Sequence, residues 1–157
     1  MEELKECSNI VIAGFGSPHG DDQAGWQVAA KLAGDDSNVA RVLAVREGTE
    51  LVGALVGCQK LIVVDACRST SPIGTITRFL WPDPRIRGQH SHSTHGIGLC
   101  NALELAARLG RLPAEVEVFG IEISGPNPLA ELSCEVRSAV DELVEILRAE
   151  LSEAVHA

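Results

Sequence analysis

No run of apolar residues in this chain approaches the roughly 20 needed to cross a bilayer. The first residues, "MEELKEC", carry neither the basic segment nor the apolar core of a secretory signal. A cytoplasmic location is the expectation. Positive charge is also scarce: 13 Lys and Arg stand against 22 Asp and Glu, a formal net charge of -9. Sequence-independent grip on nucleic acid requires Lys and Arg to displace counterions, and an anionic membrane surface asks for the same, so neither partner is expected. Cysteine pairs are missing as well. Cys7, Cys58, Cys67, Cys100 and Cys134 are scattered with no CxxC, which argues against a disulfide framework or a thiolate zinc site.

Several catalytic signatures are absent. There is no GxxxxGK[ST], no HExxH, and the serine of "GSPHG" (16–20) does not sit in GxSxG. A dinucleotide fingerprint is approached but broken. In "GFGSPHGDDQAGW" (14–26) the third glycine of GxGxxG is replaced by His19, and Gly20 follows one residue late. Glu47 could mimic the acidic ribose partner, yet Asp21 and Asp22 already stand at the positive end of a helix dipole that a pyrophosphate would use.

What is present is an alternation of strand-length apolar runs and helical periods across 157 residues, with 45% hydrophobic and 22% charged content. This is the pattern of one α/β domain spanning 1–157. Strands are expected at 9–16, 39–47, 60–66, 74–81 and 115–123. Helices are expected at 21–34, capped by Asp21 or Asp22 and closed by Gly34, at 49–58 with Thr49 as cap, at 95–109, and from Ser133 to about 152. The connection "CRSTSPI" is too short for a crossover helix, so the fourth strand should run antiparallel to the third. The expected architecture is a three-layer sandwich: a mixed, mostly parallel sheet of about five strands between helices.

Open α/β sheets place their sites at the carboxyl edge of the strands. Asp21 and Asp22 reach that edge after strand one, Asp65 ends strand three, and His95 begins a helix that leads down to a parallel strand. Each has an ordinary reading alone: a helix cap, an acceptor for loop amides, an exposed first-turn histidine. Two carboxylates and an imidazole converging on one edge instead suit a divalent metal such as nickel, zinc or iron, in a site open for completion by something else. His95 is the histidine of choice in "HSHSTH" (90–95), with His92 and Asp21 as accessories. Cys67, two residues past Asp65, is the one cysteine placed to matter.

These pieces resemble, in order, the motifs of the hydrogenase maturation proteases. "GFGSPHGDDQAG" is similar to the family's opening glycine loop with its acidic pair, although Asp stands where some members have Glu. "REGTELVGALVGCQKLIVVDA" is similar to its Gly-Gly-Thr segment and the strand ending Val-Asp-Ala, with Glu47 in a glycine's place. "STHGIGL" matches the histidine-bearing helix start, and "GIEISGPNPLAELSCEVRSAV" the Gly-Ile-Glu segment and last helix. The resemblance implies a phosphorylase/hydrolase-like α/β fold and a metal set of Asp22, Asp65 and His95, with Asp22 and Asp65 also as catalytic candidates. It further implies a nickel-dependent endopeptidase that removes the C-terminal extension of a nickel–iron hydrogenase large-subunit precursor. The nickel would arrive in that precursor. The acidic balance and the open edge make a monomer that engages one precursor transiently the expectation. A non-cleaving nickel-checkpoint binder of the same fold is the alternative.

Overall fold

The computed structural model describes residues 9–35, 40–84, 98–125 and 131–155. In chain order these form β1 (Ile10–Phe15), a 3-10 turn (Gly20–Gln23), α1 (Ala24–Ala33), β2 (Ala40–Val45), α2 (Gly48–Ala54), β3 (Lys60–Cys67), β4 (Ile76–Leu80), α3 (Leu99–Arg108), β5 (Glu115–Glu122) and α4 (Cys134–Val155). The strands make one sheet in the order β2-β1-β3-β5-β4. All pairings are parallel except β4 with β5.

The continuous apolar runs of β1 and β3 are explained by burial on both faces. Val11, Ala13, Phe15, Leu61, Val63, Val116 and Val118 pack beneath α2 and α3, against Leu51, Val52, Leu55, Leu99, Ala102, Leu103 and Ala106. Their alternating neighbours Ile12, Ile62, Val64, Phe119 and Ile121 point the other way. They meet α1 and α4 through Val28, Leu32, Val136, Val140, Leu143 and Leu147. The result is helix, sheet, helix.

Two features of this topology position a site. From β1 the chain passes to β2 on one side of the sheet, then returns to β3 on β1's other side. β1 and β3 therefore flank a topological switch point, where a crevice opens outside the carboxyl ends. The first turn of α1 is also pressed onto the end of β1. A Cβ added at Gly14 would lie 2.1 Å from the Gly25 carbonyl oxygen, and one at Gly25 would lie 2.1 Å from that of Phe15. Only paired glycines allow that approach.

The fold agrees with the expected sandwich and differs in its details. α1 begins at Ala24 rather than 21, because residues 20–23 wind as a tighter 3-10 turn, and neither Asp21 nor Asp22 caps it. α2 is capped by Glu47 rather than Thr49: the Glu50 carboxylate reaches back to the Glu47 N–H at 3.2 Å, within a capping box. α3 starts at Leu99, not 95, with Gly98 extended at its N-cap. β4 runs antiparallel to β3 as expected but does not pair with it. β5 lies between them, with Phe79 opposite Val118.

Candidate active site

β3 carries Leu61, Ile62, Val63 and Val64 into the core and reaches Asp65, which does not end the strand as expected but lies two residues before its last, Cys67, with Gly120 of β5 as its register partner. The carboxyl is partly accessible as a residue but enclosed by protein atoms. Burial, and next the negative charge of Asp22, push its pKa up to about 8, opposed by a hydrogen bond from the Ala66 backbone. Two carboxylates from opposite sides of the switch point are thus close enough for one to resist ionisation of the other. Among the described residues neither is in an ion pair.

Asp22 reaches this position through the loop after β1. The Ser17 hydroxyl donates to its carboxylate. The Ser17 N–H donates to the Asp22 carbonyl at 3.2 Å, and the Asp22 N–H to that of His19 at 3.0 Å. Gly16 lets this loop close, since a Cβ there would stand 2.6 Å from the Asp22 carbonyl oxygen. Trp26 fastens the loop from behind by donating its indole N–H to the Val45 carbonyl at 3.0 Å.

Asp21, its neighbour, is engaged elsewhere. It is 6% exposed, and its two oxygens accept from the Ser133 N–H at 2.7 Å and the Ser133 hydroxyl at 3.0 Å. Those bonds tie the loop to the start of α4. His95 and His92 lie outside the described residues. Among the described residues no three His, Cys, Asp or Glu side chains gather as a metal site. Asp22 and Asp65 supply two neighbouring hard oxygen donors, a set that fits a dication only if further ligands join.

Cys67 is not a nucleophile in waiting. Its thiol is 3.4 Å from a Glu122 carboxylate oxygen. Burial first, and then that carboxylate, push its pKa up to about 12, so it stays a protonated donor. Glu47, a conceivable ribose partner, is occupied as a helix cap. An anionic pair in front of α1 is also no seat for a pyrophosphate.

A family model described as HycI, hydrogenase maturation protease, matches residues 30–150. The chain belongs to the hydrogenase maturation protease family. No curated protein sequence matches it. Among solved structures it is similar to the hydrogenase maturating endopeptidase HybD from E. coli, at 21% identity and TM-score 0.76 over 92% of this chain and 93% of that one. The HybD maturation protease from Thermococcus kodakarensis is 24% identical with TM-score 0.73, over 90% and 98%. A hydrogenase 2 maturation peptidase from Thaumarchaeota archaeon SCGC_AB-539-E09 is 25% identical with TM-score 0.65, over 91% and 97%.

In this family member, three residues of the site's surroundings escape sequence reasoning: Ser17, Ser133 and Glu122. Ser17 has a signal, a hydroxyl five residues before an acid in a glycine loop. Ser133 was visible only as a helix start, and its partner lies 112 residues away. Glu122 lies in the Gly-Ile-Glu segment, where nothing local assigns it a role.

Proposed function

We propose that this chain is a nickel-dependent endopeptidase that cuts the C-terminal extension from a nickel–iron hydrogenase large-subunit precursor once nickel has been inserted. The observation that carries the reading is the acidic pair Asp22 and Asp65, brought together from the two strands that flank the switch point, in a member of the maturation protease family. Among the described residues two oxygen donors make an incomplete site. An incomplete site suits a metal that arrives with ligands of its own, held in the precursor. His95 is the third protein ligand in this reading.

The chemistry follows from the donors. Hydrolysis requires a water to lose a proton and a carbonyl to become more electrophilic. A carboxylate whose pKa lies near neutrality suits the first task. The precursor's nickel suits the second, acting as a Lewis acid on a carbonyl held beside it. A dication next to Asp65 would reverse the local charge and favour release of its proton. Nickel-free precursor would leave Asp65 protonated and the site unassembled.

The test is intact-mass analysis of nickel-loaded and nickel-free precursor after incubation with the protein. Loss of one discrete C-terminal peptide from the loaded form alone is expected. Asp22→Asn and His95→Ala should reduce that loss to background while circular dichroism stays unchanged. Binding of loaded precursor without any mass change would support the checkpoint alternative instead.

A further inference from the structure

Glu122 ends β5 with a residue that is 3% exposed. A carboxylate that deep needs hydrogen-bond donors. Three supply it, all from the chain just past Asp65: the Ser69 N–H at 2.6 Å, the Ser69 hydroxyl at 3.0 Å and the Cys67 thiol at 3.4 Å. Among the described residues no Lys, Arg or His pairs with it. The main chain of the same residue holds the other end of that connection. Its N–H donates to the Thr75 carbonyl at 2.9 Å, and its carbonyl accepts from the Gly74 N–H at 2.8 Å. The next residue joins in, with the Ile123 N–H donating to the Cys67 carbonyl at 2.9 Å. Residues 67–75 are therefore stapled to one point at both ends.

Packing a loop does not require a charge. An apolar side chain would fill the space without the desolvation cost of an unpaired carboxylate. What the carboxylate adds is direction, because three donors must converge on two oxygens. The neighbourhood is shaped for this convergence. Gly120, opposite Asp65 in the register, has no side chain, and a Cβ there would meet the Cys67 sulfur at 2.9 Å and the Thr77 hydroxyl oxygen at 2.8 Å. The thiol can therefore lie against bare strand while it reaches Glu122. Asp65 and Cys67 are two residues apart on one strand and share a face, so whatever fixes Cys67 also fixes the pleat from which Asp65 projects.

We propose that Glu122 is a positioning residue for Asp65: by gathering Cys67 and Ser69 it locks the end of β3 and sets the direction of the Asp65 carboxylate toward Asp22. The inference rests on the reading of Asp65 as a residue of the protease site. Glu122 touches neither substrate nor metal. It acts through the backbone of residues 66–69, and loosening such a support typically costs about 10–100-fold in activity.

The test uses Glu122→Gln, which keeps the shape but replaces one acceptor oxygen with an amide that faces donors. In the free full-length protein, the carboxyl carbon-13 shift of Asp65 should move and the Ser69 amide should exchange about 10-fold faster or more. The amides of Val63 and Val118, deep in the sheet, should exchange unchanged. With nickel-loaded precursor, kcat should fall about 10–100-fold with KM within about twofold. An unmoved Asp65 resonance together with unchanged kcat would overturn the proposal. A fall confined to KM would overturn it too, since it would make Glu122 part of precursor binding. Should Glu122→Gln fail to fold, Ser69→Ala removes one of the three donors and must shift Asp65 in the same direction, or the proposal fails. Because the resonance and exchange measurements need no precursor, they judge Glu122 even if the wild-type protein cuts nothing, an outcome that would count against the proposed function alone.

Discussion

At the scale of single residues, Asp65 carries the clearest consequence. Its carboxyl titrates near 3.8 when unfolded and at about 8 when folded, chiefly because burial and the charge of Asp22 oppose ionisation. Between those values the unfolded chain gives up a proton that the folded chain keeps. Raising the pH through that window therefore lowers stability, and the loss is complete above about 8. Asp65→Asn removes the titration. Its melting temperature should draw ahead of the parent's as pH rises from about 4 to about 8, then hold a constant lead. Asp22→Asn should give part of the same gain, because burial remains. Parallel melting curves for Asp65→Asn and parent across that range would mean that the two carboxylates do not crowd each other. Both acids were legible in the sequence because each sits where an α/β sheet puts its sites, one after the first strand and one near the end of the third. Their mutual repulsion was not, since no local pattern reports the distance between loops.

At the scale of elements, the joint between the Asp22 loop and α4 is a buried acid clasping a helix start. The Ser133 N–H has Asp21 as its acceptor, so Asp21→Ala leaves that half-buried donor without it. The expected cost is about 1–3 kcal/mol in urea unfolding. Ser133→Ala keeps the N–H bond and loses only the hydroxyl contact, so about 1 kcal/mol is expected. The double variant should cost less than the sum, because both substitutions break one contact. Strict additivity would show the two groups to be uncoupled. This joint explains why capping was misassigned from sequence. An aspartate before a helical period reads as the cap of that helix, whereas Asp21 serves a helix 112 residues further on. Local propensity failed similarly at α2, where Thr49 is the better cap by type but Glu47 occupies the position with Glu50 reaching back to it. Strand order was hidden for a related reason. The short β3–β4 connection suggested an antiparallel direction correctly, but whether a later strand enters between the two depends on which edge is left open. Periodicity carries no information about that.

At the scale of the whole molecule, the site depends on a sheet that is buried on both faces and shared by two cores. Leu103 of α3 and Leu143 of α4 are each fully buried, on opposite sides of it. Truncating either to alanine removes apolar contact and leaves a void, at an expected cost of about 2–5 kcal/mol. The two cores have no boundary at which one could melt alone, because β1, β3 and β5 present alternate residues to both. Each variant should therefore lower the midpoint of one transition, seen alike by far-ultraviolet circular dichroism and by Trp26 and Trp81 fluorescence. The leucines share no partners across the sheet, so the double variant should lose nearly the sum of the two. Two resolved transitions in either variant would mean that one helical layer peels away independently. Asp22 and Asp65 would then owe their alignment to only one of the cores. A single transition would mean instead that both layers together hold β1 and β3, and with them the acidic pair, in place.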